Sequence, residues 1–573
     1  MNHTPQKNRK ATFTGRFSTL VEALLAAPPE RPFVTVWKDE DDIQSVTFGE
    51  FVDLAKSHAA AFQAQGLAPG DTVILIMPQS IPLMAAFAGA MLLGAIPSIL
   101  AYPNSKADPA KYNAGLAGVS HNLKARLVVV DEDFPATLLS HLVLADGAQL
   151  VYSSSLLFPS TAFRPPDYEH SSDRLAFIQH SAGTTGLQKG VALTHGAVLT
   201  QLEHLAAAIE IDSQDRIYSW LPLYHDMGLI ACYMLPLVSH VPIVMQSPMD
   251  WVLQPVTMLE LISSYRCTLA WVPNFALQFL ARRVREEDRR DLDLSPLRAL
   301  INCSEPIRGH SIDEFLAAYA AYGLQPTALQ SSYAMAENVF AVTQSDIRTP
   351  PRRIWVDGSQ LLEKNRAVPV AGNEGSCFVS SGRCLPDNKV RIVSSADGRE
   401  LLEYEVGEIV IQSDSLFGGY HNRPDLSAAV VKDGWYWTGD LGFFADGELY
   451  VIGRKKDLII VAGKNIYPQD IEEIVSRHPA IHDGRVVATG LYSDDQGTEE
   501  IIVVAELETP EDENESFQIE RAIRNAIVEE LGVVPRAIFL KPPAWIVKST
   551  AGKPARSTTR EKLLAEHPAL IRG

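Results

Sequence analysis

Residues 30–320 alternate short apolar runs with longer amphipathic stretches, and this alternation restricts the fold more than any other feature of the sequence. Residues 73–77 and 125–131 have the unbroken, β-branched apolar character of buried strands. Successive strands joined by helices run parallel, because each helix returns the chain to the same end of the sheet. The sequence therefore predicts an α/β fold in which helices cover parallel sheets.

The apolar segment at residues 83–102 approaches the length of a membrane-spanning helix. Pro97 and two glycines interrupt it, so we interpret it as a buried helix followed by a strand. Residues 1–16 are polar and lack the apolar core of a secretory signal. With no transmembrane segment predicted, the cytoplasm is the expected location.

The chain length predicts more than one domain, because 573 residues are more than one ordinary hydrophobic core accommodates. Residues 344–380 contain Pro and Gly clusters and predict a loop-rich insertion. Short strands at 389–393 and 407–411, expected to be antiparallel, follow it. We expect a large domain over residues 1–453 and a small α+β domain over residues 457–573.

Composition excludes several function classes. The net charge of −19 argues against nonspecific nucleic-acid binding and against a membrane-surface protein held by cationic patches. The five cysteines are widely spaced and form no C-x-x-C pair. Reduced thiols are therefore expected, rather than a zinc site or disulfides.

The segment at residues 181–190 has the composition of a phosphate-binding loop. An apolar strand at 175–178 precedes it, and spaced glycines would let the backbone approach an anion. Thr184 and Thr185 add hydroxyl donors, and Lys189 adds a positive charge. No Gly-Lys-Ser/Thr sequence closes the loop, so it is not a Walker A motif. Taken alone, it is equally well an ordinary turn.

Further segments follow this loop in a fixed order, at residues 221–226, 333–337, 436–440, 453–457 and 549–553. Together with the loop they resemble the motifs of the adenylate-forming superfamily, which includes acyl-CoA synthetases, luciferases and peptide-synthetase adenylation domains. The resemblance covers nearly the whole chain. It implies a large N-terminal domain with two helix-covered sheets and a small β subdomain, followed by a small, mobile α+β C-terminal domain.

The resemblance assigns a role to each motif. Tyr333 would offer an aromatic face to adenine, and Glu337 would bind Mg²⁺ between the phosphates. Asp440 would accept hydrogen bonds from the ribose hydroxyls, and Arg454 would donate hydrogen bonds to the ribose or the phosphates. Lys553 would reach the α-phosphate and the attacking carboxylate. Each residue alone could be core packing or a solvated charge, but their common order favours function.

ATP and Mg²⁺ are thus the implied cofactors. The implied ATP-binding residues are Ser181, Gly183, Thr184, Thr185, Gly186, Lys189, Ser332, Tyr333, Ala334, Met335, Asp440 and Arg454. The implied acyl pocket contains His225, Met227, Gly228, Asn274 and Phe275. The implied catalytic residues are Lys553, Glu337 and His225, with His225 at the carboxylate or the acyl pocket rather than in acid–base chemistry. Lys456, within residues 454–456, matches the hinge.

Attack of a carboxylate on the α-phosphorus of ATP would form an acyl-adenylate and release pyrophosphate. Such transfers depend on positioning and charge neutralisation. The segments at residues 271–277, 302–307 and 463–472 resemble fatty acyl-AMP ligases more than acyl-CoA ligases. The 344–380 insertion occupies the place of the insertion that marks those ligases. It is expected to restrain the small domain; a tolerated surface loop is the alternative.

The expected function is activation of a fatty acid, followed by acyl transfer to the phosphopantetheine thiol of a separate acyl carrier protein in lipid, lipopeptide or polyketide biosynthesis. The alternatives are a fatty or aryl acyl-CoA ligase and a catalytically silent binding homologue. Arginines at residues 282–290 are either a solvated helix or a docking site for an acidic carrier. The sequence leaves acyl chain length and oligomeric state open.

Overall fold

The computed structural model describes residues 15–103, 109–156, 158–180, 188–372, 375–461, 464–493, 496, 498–509, 513–548 and 554–571. Within these ranges, helices pack on several separate sheets, and the predicted α/β fold class is confirmed.

The largest sheet described has nine strands and positions most of the site. In spatial order they are Arg383–Cys384, Ala341–Gln344, Leu329–Ala334, Ala299–Asn302, Leu269–Val272, Ile217–Ser219, Ile243–Gln246, Pro32–Trp37 and Ile43–Thr47. The central strands are parallel and the edge strands antiparallel. The loops after the parallel strands therefore leave from one edge, where α/β proteins place their ligands.

A second sheet is wholly parallel, and three of its four strands are fully buried. Its strands are Ile96–Ile99, Thr72–Ile76, Leu127–Val130 and Gln149–Tyr152. The predicted helix and strand within residues 83–102 are confirmed as Ile81–Leu93 and Ile96–Ile99. Gly94 ends the helix at a φ of 80°, which glycine adopts without a steric penalty. None of the described helices is long and apolar enough to cross a membrane.

Antiparallel strands complete the large part of the chain. A hairpin joins Leu175–His180 to Gly190–Thr194. The small β subdomain contains Lys389–Val393, Gly407–Gln412, Trp435–Ala445, Val431–Lys432 and Glu448–Arg454. The antiparallel pairing predicted for residues 389–393 and 407–411 is confirmed.

Helices cover these sheets. In chain order they are Leu20–Leu25, Phe48–Ala64, Ile81–Leu93, Pro109–Leu123, Ala136–Leu139, His195–Ala208, Met227–Met234, Leu235–Ser239, Pro248–Leu253, Val256–Tyr265, Asn274–Arg283, Gly309–Tyr319 and Pro424–Val430. Met227–Met234 has π-helical hydrogen bonding. Such segments are rare and often lie at functional sites.

The 344–380 insertion contains two strands and a helix, which the prediction of a loop-rich segment did not include. Strands Arg353–Val356 and Ser376–Val379 pair antiparallel and enclose the helix Gly358–Lys364. The Asp357 side chain caps this helix by accepting from Ser359 and Gln360 N–H groups. The Pro and Gly clusters mark only the connections, and they concealed a short strand of β-branched and aromatic residues between them.

The C-terminal part is a compact α+β unit. Its strands are Ile459–Val461, Lys464–Ile466, Ile481–Ser493, Thr498–Leu507 and Ala537–Lys541. Its helices are Pro468–Ser476, Glu513–Leu531 and Arg556–Glu566, followed by a 3-10 turn at Pro568–Ile571. One hydrophobic cluster joins this unit to the insertion through Leu361, Phe378, Ile466 and Ile471.

Candidate active site

One large cavity lies between the two parts of the chain and brings together several of the predicted motifs. Its volume is about 1370 Å³. The large part contributes Glu337 and Asp440, and the C-terminal part contributes Lys548, Pro554 and Arg556. Motifs that are far apart in sequence therefore line one space.

Glu337 lies in a tight turn that holds its carboxylate at this cavity. It occupies the 3-10 helix Ala336–Asn338, directly after the strand Leu329–Ala334, and it is 9% exposed. Two residues later, the buried Val339 has a φ of 61°. A β-branched residue rarely adopts this conformation, which costs roughly 1–3 kcal/mol and is typical of functional sites.

Two tyrosine hydroxyls orient the Glu337 carboxylate. The Tyr420 hydroxyl donates to Glu337 Oε1 over 2.7 Å, and the Tyr436 hydroxyl interacts with the Tyr420 hydroxyl. Burial, followed by the charge of Glu337, raises the pKa of both phenols, so both remain protonated donors. Lys189 Nζ lies 4.5 Å from the centroid of the Tyr420 ring, within cation–π distance.

Asp440 is held between two partners on the other side of the cavity. The Tyr333 hydroxyl donates to Asp440 Oδ2 over 2.7 Å, and Arg454 Nε lies 3.3 Å from Asp440 Oδ1. Asp440 and Arg454 are direct cross-strand partners in the β subdomain, which fixes their separation. The charge of Asp440 raises the pKa of Arg454, so this cation persists.

The loop after strand Ile217–Ser219 supplies another wall. His225 Nδ1 lies 2.7 Å from Asp226 Oδ1, and both residues line the cavity. Asn274 and Phe275 line it from the start of the neighbouring helix. A histidine, an amide and an aromatic ring thus border the same region.

Met227 and Gly228 are not among the residues that line the cavity. Both are buried in the π-helical segment behind it. A Cβ on Gly228 would overlap the Pro222 carbonyl group, so this glycine permits two backbone segments to touch. In this structure the glycine allows close packing of those segments.

The junction between the two parts is rich in ion pairs. Lys456 lines the cavity, where desolvation and the nearby Arg454 lower the pKa of its ammonium. Arg556 donates to Glu472 Oε2 over 2.6 Å and to Asp457 Oδ2 over 2.9 Å. Arg556 thereby ties the chain just after residues 549–553 to the 3-10 turn that contains Lys456.

A family model described as AMP-binding enzyme matches residues 21–421. The chain belongs to the AMP-binding enzyme family. The predicted resemblance to the adenylate-forming superfamily, and within it to fatty acyl-AMP ligases, is confirmed by its relatives.

Two curated relatives match almost end to end. The medium-chain-fatty-acid–[acyl-carrier-protein] ligase JamA of Moorena producens is 30% identical over 96% of this chain and 95% of its own. The long-chain-fatty-acid–AMP ligase FadD26 of Mycobacterium bovis is 29% identical over 90% and 91%. Coverage of this extent means that the C-terminal unit is shared as well as the AMP-binding region.

Solved structures agree with this assignment. A fatty acyl-adenylate ligase structure from work on the E. coli and L. pneumophila enzymes superposes with a TM-score of 0.87 at 29% identity, over 96% of this chain and 98% of that one. The L. pneumophila enzyme in complex with acyl adenylate and pyrophosphate superposes with a TM-score of 0.74 at 27% identity, over 96% and 97%.

In this AMP-binding enzyme most of the described candidate residues share the cavity. Those that line it are Lys189, His225, Asn274, Phe275, Ser332, Tyr333, Ala334, Met335, Glu337, Asp440, Arg454 and Lys456. Others lie outside the described residues, namely Ser181, Gly183, Thr184, Thr185, Gly186 and Lys553. The cavity is also lined by described residues at both ends of these segments. They are His180, directly before residues 181–187, Lys189, two positions after them, and Lys548 and Pro554, on either side of residues 549–553.

Sequence reasoning missed four residues that contribute to the site: His180, Tyr420, Tyr436 and Arg556. His180 lines the cavity, contacts Ser98 Oγ over 2.9 Å, and burial lowers its pKa to about 4, so its imidazole is neutral. The pair of glycines before Tyr420 was an available signal, since Gly419 has a φ of 122°. Tyr436 begins the motif at residues 436–440, which was a second signal, whereas His180 and Arg556 carried none.

The Glu337 carboxylate is a suitable single protein ligand for Mg²⁺. Among the described residues no group of three His, Cys, Asp or Glu side chains could enclose a metal ion. A single carboxylate beside a phosphate site is typical of Mg²⁺ in nucleotide enzymes, because phosphates and water complete its coordination. Tyr420 occupies one carboxylate oxygen of Glu337 and holds the group in place.

The arginines at residues 282–290 are mostly engaged within the molecule. Four of them pair internally: Arg282 with Glu314, Arg283 with Glu508, Arg285 with Asp288, and Arg289 with backbone carbonyls. Arg289 also lies over the Tyr319 ring. The stretch is therefore no free cationic patch, and it gives no support to a carrier docking site.

Proposed function

We propose that this AMP-binding enzyme activates a fatty acid with ATP, forms a fatty acyl-adenylate, and transfers the acyl group to the phosphopantetheine thiol of a separate acyl carrier protein. One observation carries the proposal: a single cavity is lined by Glu337, Asp440 and Arg454 from the large part and by Lys548 and Pro554 from the C-terminal part. The acceptor is proposed from JamA, whose name specifies an acyl carrier protein.

The described residues support a nucleotide oriented by its ribose and phosphates. The Asp440 carboxylate, held by Tyr333 and Arg454, is available to accept hydrogen bonds from ribose hydroxyls. Lys189 supplies a cation beside Tyr420, at the end of the proposed phosphate loop. The Tyr333 ring, at the end of its strand, would provide the surface against adenine.

Chemistry at the α-phosphorus requires cations where negative charge accumulates. Mg²⁺ bound at Glu337 would supply one of them by neutralising phosphate charge. Lys553 is proposed as the second, because both residues that border its segment, Lys548 and Pro554, line the cavity and pair with each other in a β-bridge. The acid would approach past His225 and Phe275, with its carboxylate directed to the phosphorus.

The proposed domain arrangement is a large domain over residues 1–453, a hinge at 454–456 and a C-terminal domain over 457–573. The insertion would restrain that hinge. Lys464 Nζ lies 3.2 Å from Glu363 Oε1, and Asn465 Nδ2 donates to Asn365 Oδ1 over 2.9 Å. These polar contacts, next to the shared hydrophobic cluster, link the insertion to the C-terminal unit.

The restraint has a direct test. Replacing Phe378 by Ala should loosen the cluster that joins the insertion to the C-terminal unit, because it removes a buried ring. Small-angle X-ray scattering should then give a larger radius of gyration than the wild-type protein has. An unchanged scattering profile with a reduced melting temperature would indicate a purely structural role for the insertion.

The function is tested by carboxylate-dependent exchange between ATP and labelled pyrophosphate across acids of increasing length. Lys553→Ala should nearly abolish exchange without altering the melting temperature. The acceptor is tested by supplying CoA and a phosphopantetheine-loaded carrier protein side by side. Abundant acyl-CoA with no acyl-carrier product would refute the carrier assignment, and no exchange with any acid would refute adenylation.

A further inference from the structure

The two domains are joined by a charged contact that the proposed chemistry does not use. Arg308 precedes the helix Gly309–Tyr319 of the large domain. Its Nη1 lies 2.6 Å from Glu473 Oε2 and 3.5 Å from Asp470 Oδ1, both on the helix Pro468–Ser476 of the C-terminal domain. One cation therefore bridges the domain boundary to two carboxylates.

Burial distinguishes this contact from ordinary surface pairs. The side chains of Arg308, Asp470 and Glu473 are only 18%, 17% and 24% exposed. Burial raises the pKa of Asp470 to about 6, although Arg308 acts in the opposite direction. Glu473 also pairs with Arg477 of its own helix over 3.2 Å, so Asp470 depends on Arg308 the most, because a partly buried charge without a partner is strongly destabilising.

Contacts within the large domain fix the position of the Arg308 backbone. Its backbone N–H donates to Asn274 Oδ1 over 3.1 Å, so the same residue that lines the cavity anchors Arg308. Arg353 of the insertion lies against the adjacent Gly309 and forms two 2.7 Å hydrogen bonds to Asp313. The large domain, the insertion and the C-terminal domain therefore meet around Arg308.

We propose that Arg308 is a positioning residue that holds the C-terminal domain in the arrangement seen here, in which residues 548 and 554 line the cavity. This inference rests on the proposed function, because the arrangement matters only if Lys553 serves adenylation. The consequence is selective: loss of the contact should slow acyl-adenylate formation and spare acyl transfer, which requires the domain to move away.

The chain supplies its own matched control. Arg283 Nη2 also crosses the domain boundary, to Glu508 Oε1 over 2.8 Å. Its side chain is 45% exposed and that of Glu508 is 35% exposed, so this pair is expected to contribute little. Arg308→Met and Arg283→Met therefore remove the same charge from the same boundary at two different degrees of burial.

The two half-reactions are measured separately with the full-length protein. Pyrophosphate exchange reports adenylation with the best acid found, and transfer is followed from the chemically synthesised acyl-adenylate of that acid to pantetheine. Arg308→Met should reduce exchange by about tenfold or more, which corresponds to about 1.4 kcal/mol, and change transfer by less than about threefold. Arg283→Met should change both rates by less than about twofold.

Small-angle scattering without substrates gives a second readout that does not depend on activity. The radius of gyration should increase for Arg308→Met and remain at the wild-type value for Arg283→Met and for Arg308→Lys, which keeps the charge. Equal loss of both half-reactions, or an unchanged exchange rate and radius in Arg308→Met, would overturn the proposal. Wild-type protein without exchange activity would refute the proposed function, while the scattering comparison would still test the contact.

Discussion

Replacing Tyr420 by Phe removes the hydrogen bond that it donates to the proposed Mg²⁺ ligand. The substitution removes only the hydroxyl that donates to Glu337 Oε1. The ring remains, so its edge contact with Phe417 and the cation–π contact with Lys189 are retained. Any change in nucleotide binding then reports on how the Glu337 carboxylate is held.

The structure sets the expected magnitude. Glu337 is 9% exposed, and a hydrogen bond to a buried charged group contributes about 1.5–3 kcal/mol. Partners that orient a metal-binding side chain typically change metal affinity by about 10–100-fold when they are removed. Tyr420→Phe should therefore raise the KM for Mg·ATP in pyrophosphate exchange by about 10–100-fold, with a much smaller change in kcat.

Tyr436→Phe provides the matched control. It removes the outer hydroxyl, whose interaction is with the neutral Tyr420 hydroxyl, and leaves the hydrogen bond from Tyr420 to Glu337 intact. A neutral hydrogen bond contributes about 0.5–1.5 kcal/mol, so the KM should rise by about tenfold or less. The assay is a titration with Mg·ATP at a saturating concentration of acid, on variants whose melting temperatures are measured in parallel.

A KM in Tyr420→Phe equal to that of the wild-type enzyme would refute the reasoning. So would a larger effect of Tyr436→Phe than of Tyr420→Phe, since the effect must decrease with distance from the carboxylate. A fall in kcat with unchanged KM would indicate that Tyr420 stabilises the transition state instead of contributing to Mg·ATP binding.

Three further predictions concern stability. Gly228→Ala should sharply lower the yield of folded protein, because the added Cβ would overlap the Pro222 carbonyl. The soluble fraction after expression measures this yield. Asp215→Ala should lower the free energy of unfolding, measured in urea, by about 3–5 kcal/mol. The substitution leaves the largely buried Arg298 guanidinium without the carboxylate that now lies 2.6 Å away. A loss below about 1 kcal/mol would contradict this reasoning. Burial lowers the pKa of His58 to about 4, so the unfolded state binds an extra proton between pH 6.5 and 4, and stability should fall on acidification through that range. Because burial lowers the pKa of His180 and His195 in the same way, His58→Leu should reduce the slope of the urea midpoint against pH without abolishing it. An unchanged slope would exclude a contribution from His58.

Local patterns were sufficient for most of the regular structure. The apolar runs at residues 73–77 and 125–131 became buried parallel strands, because only a two-sided core satisfies unbroken β-branched sequence. The two strands and the helix within residues 344–380 were not predicted, because Pro and Gly residues dominate a short window there. These strands are stabilised by packing against the C-terminal unit, which a local reading cannot detect.

The candidate site divides in the same way. Glu337, Asp440 and Arg454 were identified from motifs whose residue types suit phosphate, ribose and metal binding. Tyr420, Tyr436 and Arg556 were missed because each acts through a partner that is distant in the chain. Gly228 was predicted in the acyl pocket, and the structure adds that it packs against the Pro222 carbonyl, which no local pattern indicates.

The sequence by itself determined the fold class, the family and the types of residue around the nucleotide, since these depend on periodicity and on short motifs. Tertiary structure decided which of those residues share one cavity and which side chains hold them. It alone identified Arg308, whose partners Asp470 and Glu473 lie more than 160 residues away. Ion pairs and buried hydrogen bonds form between elements that only the folded chain brings together, and their strength depends on burial, which no local sequence pattern specifies.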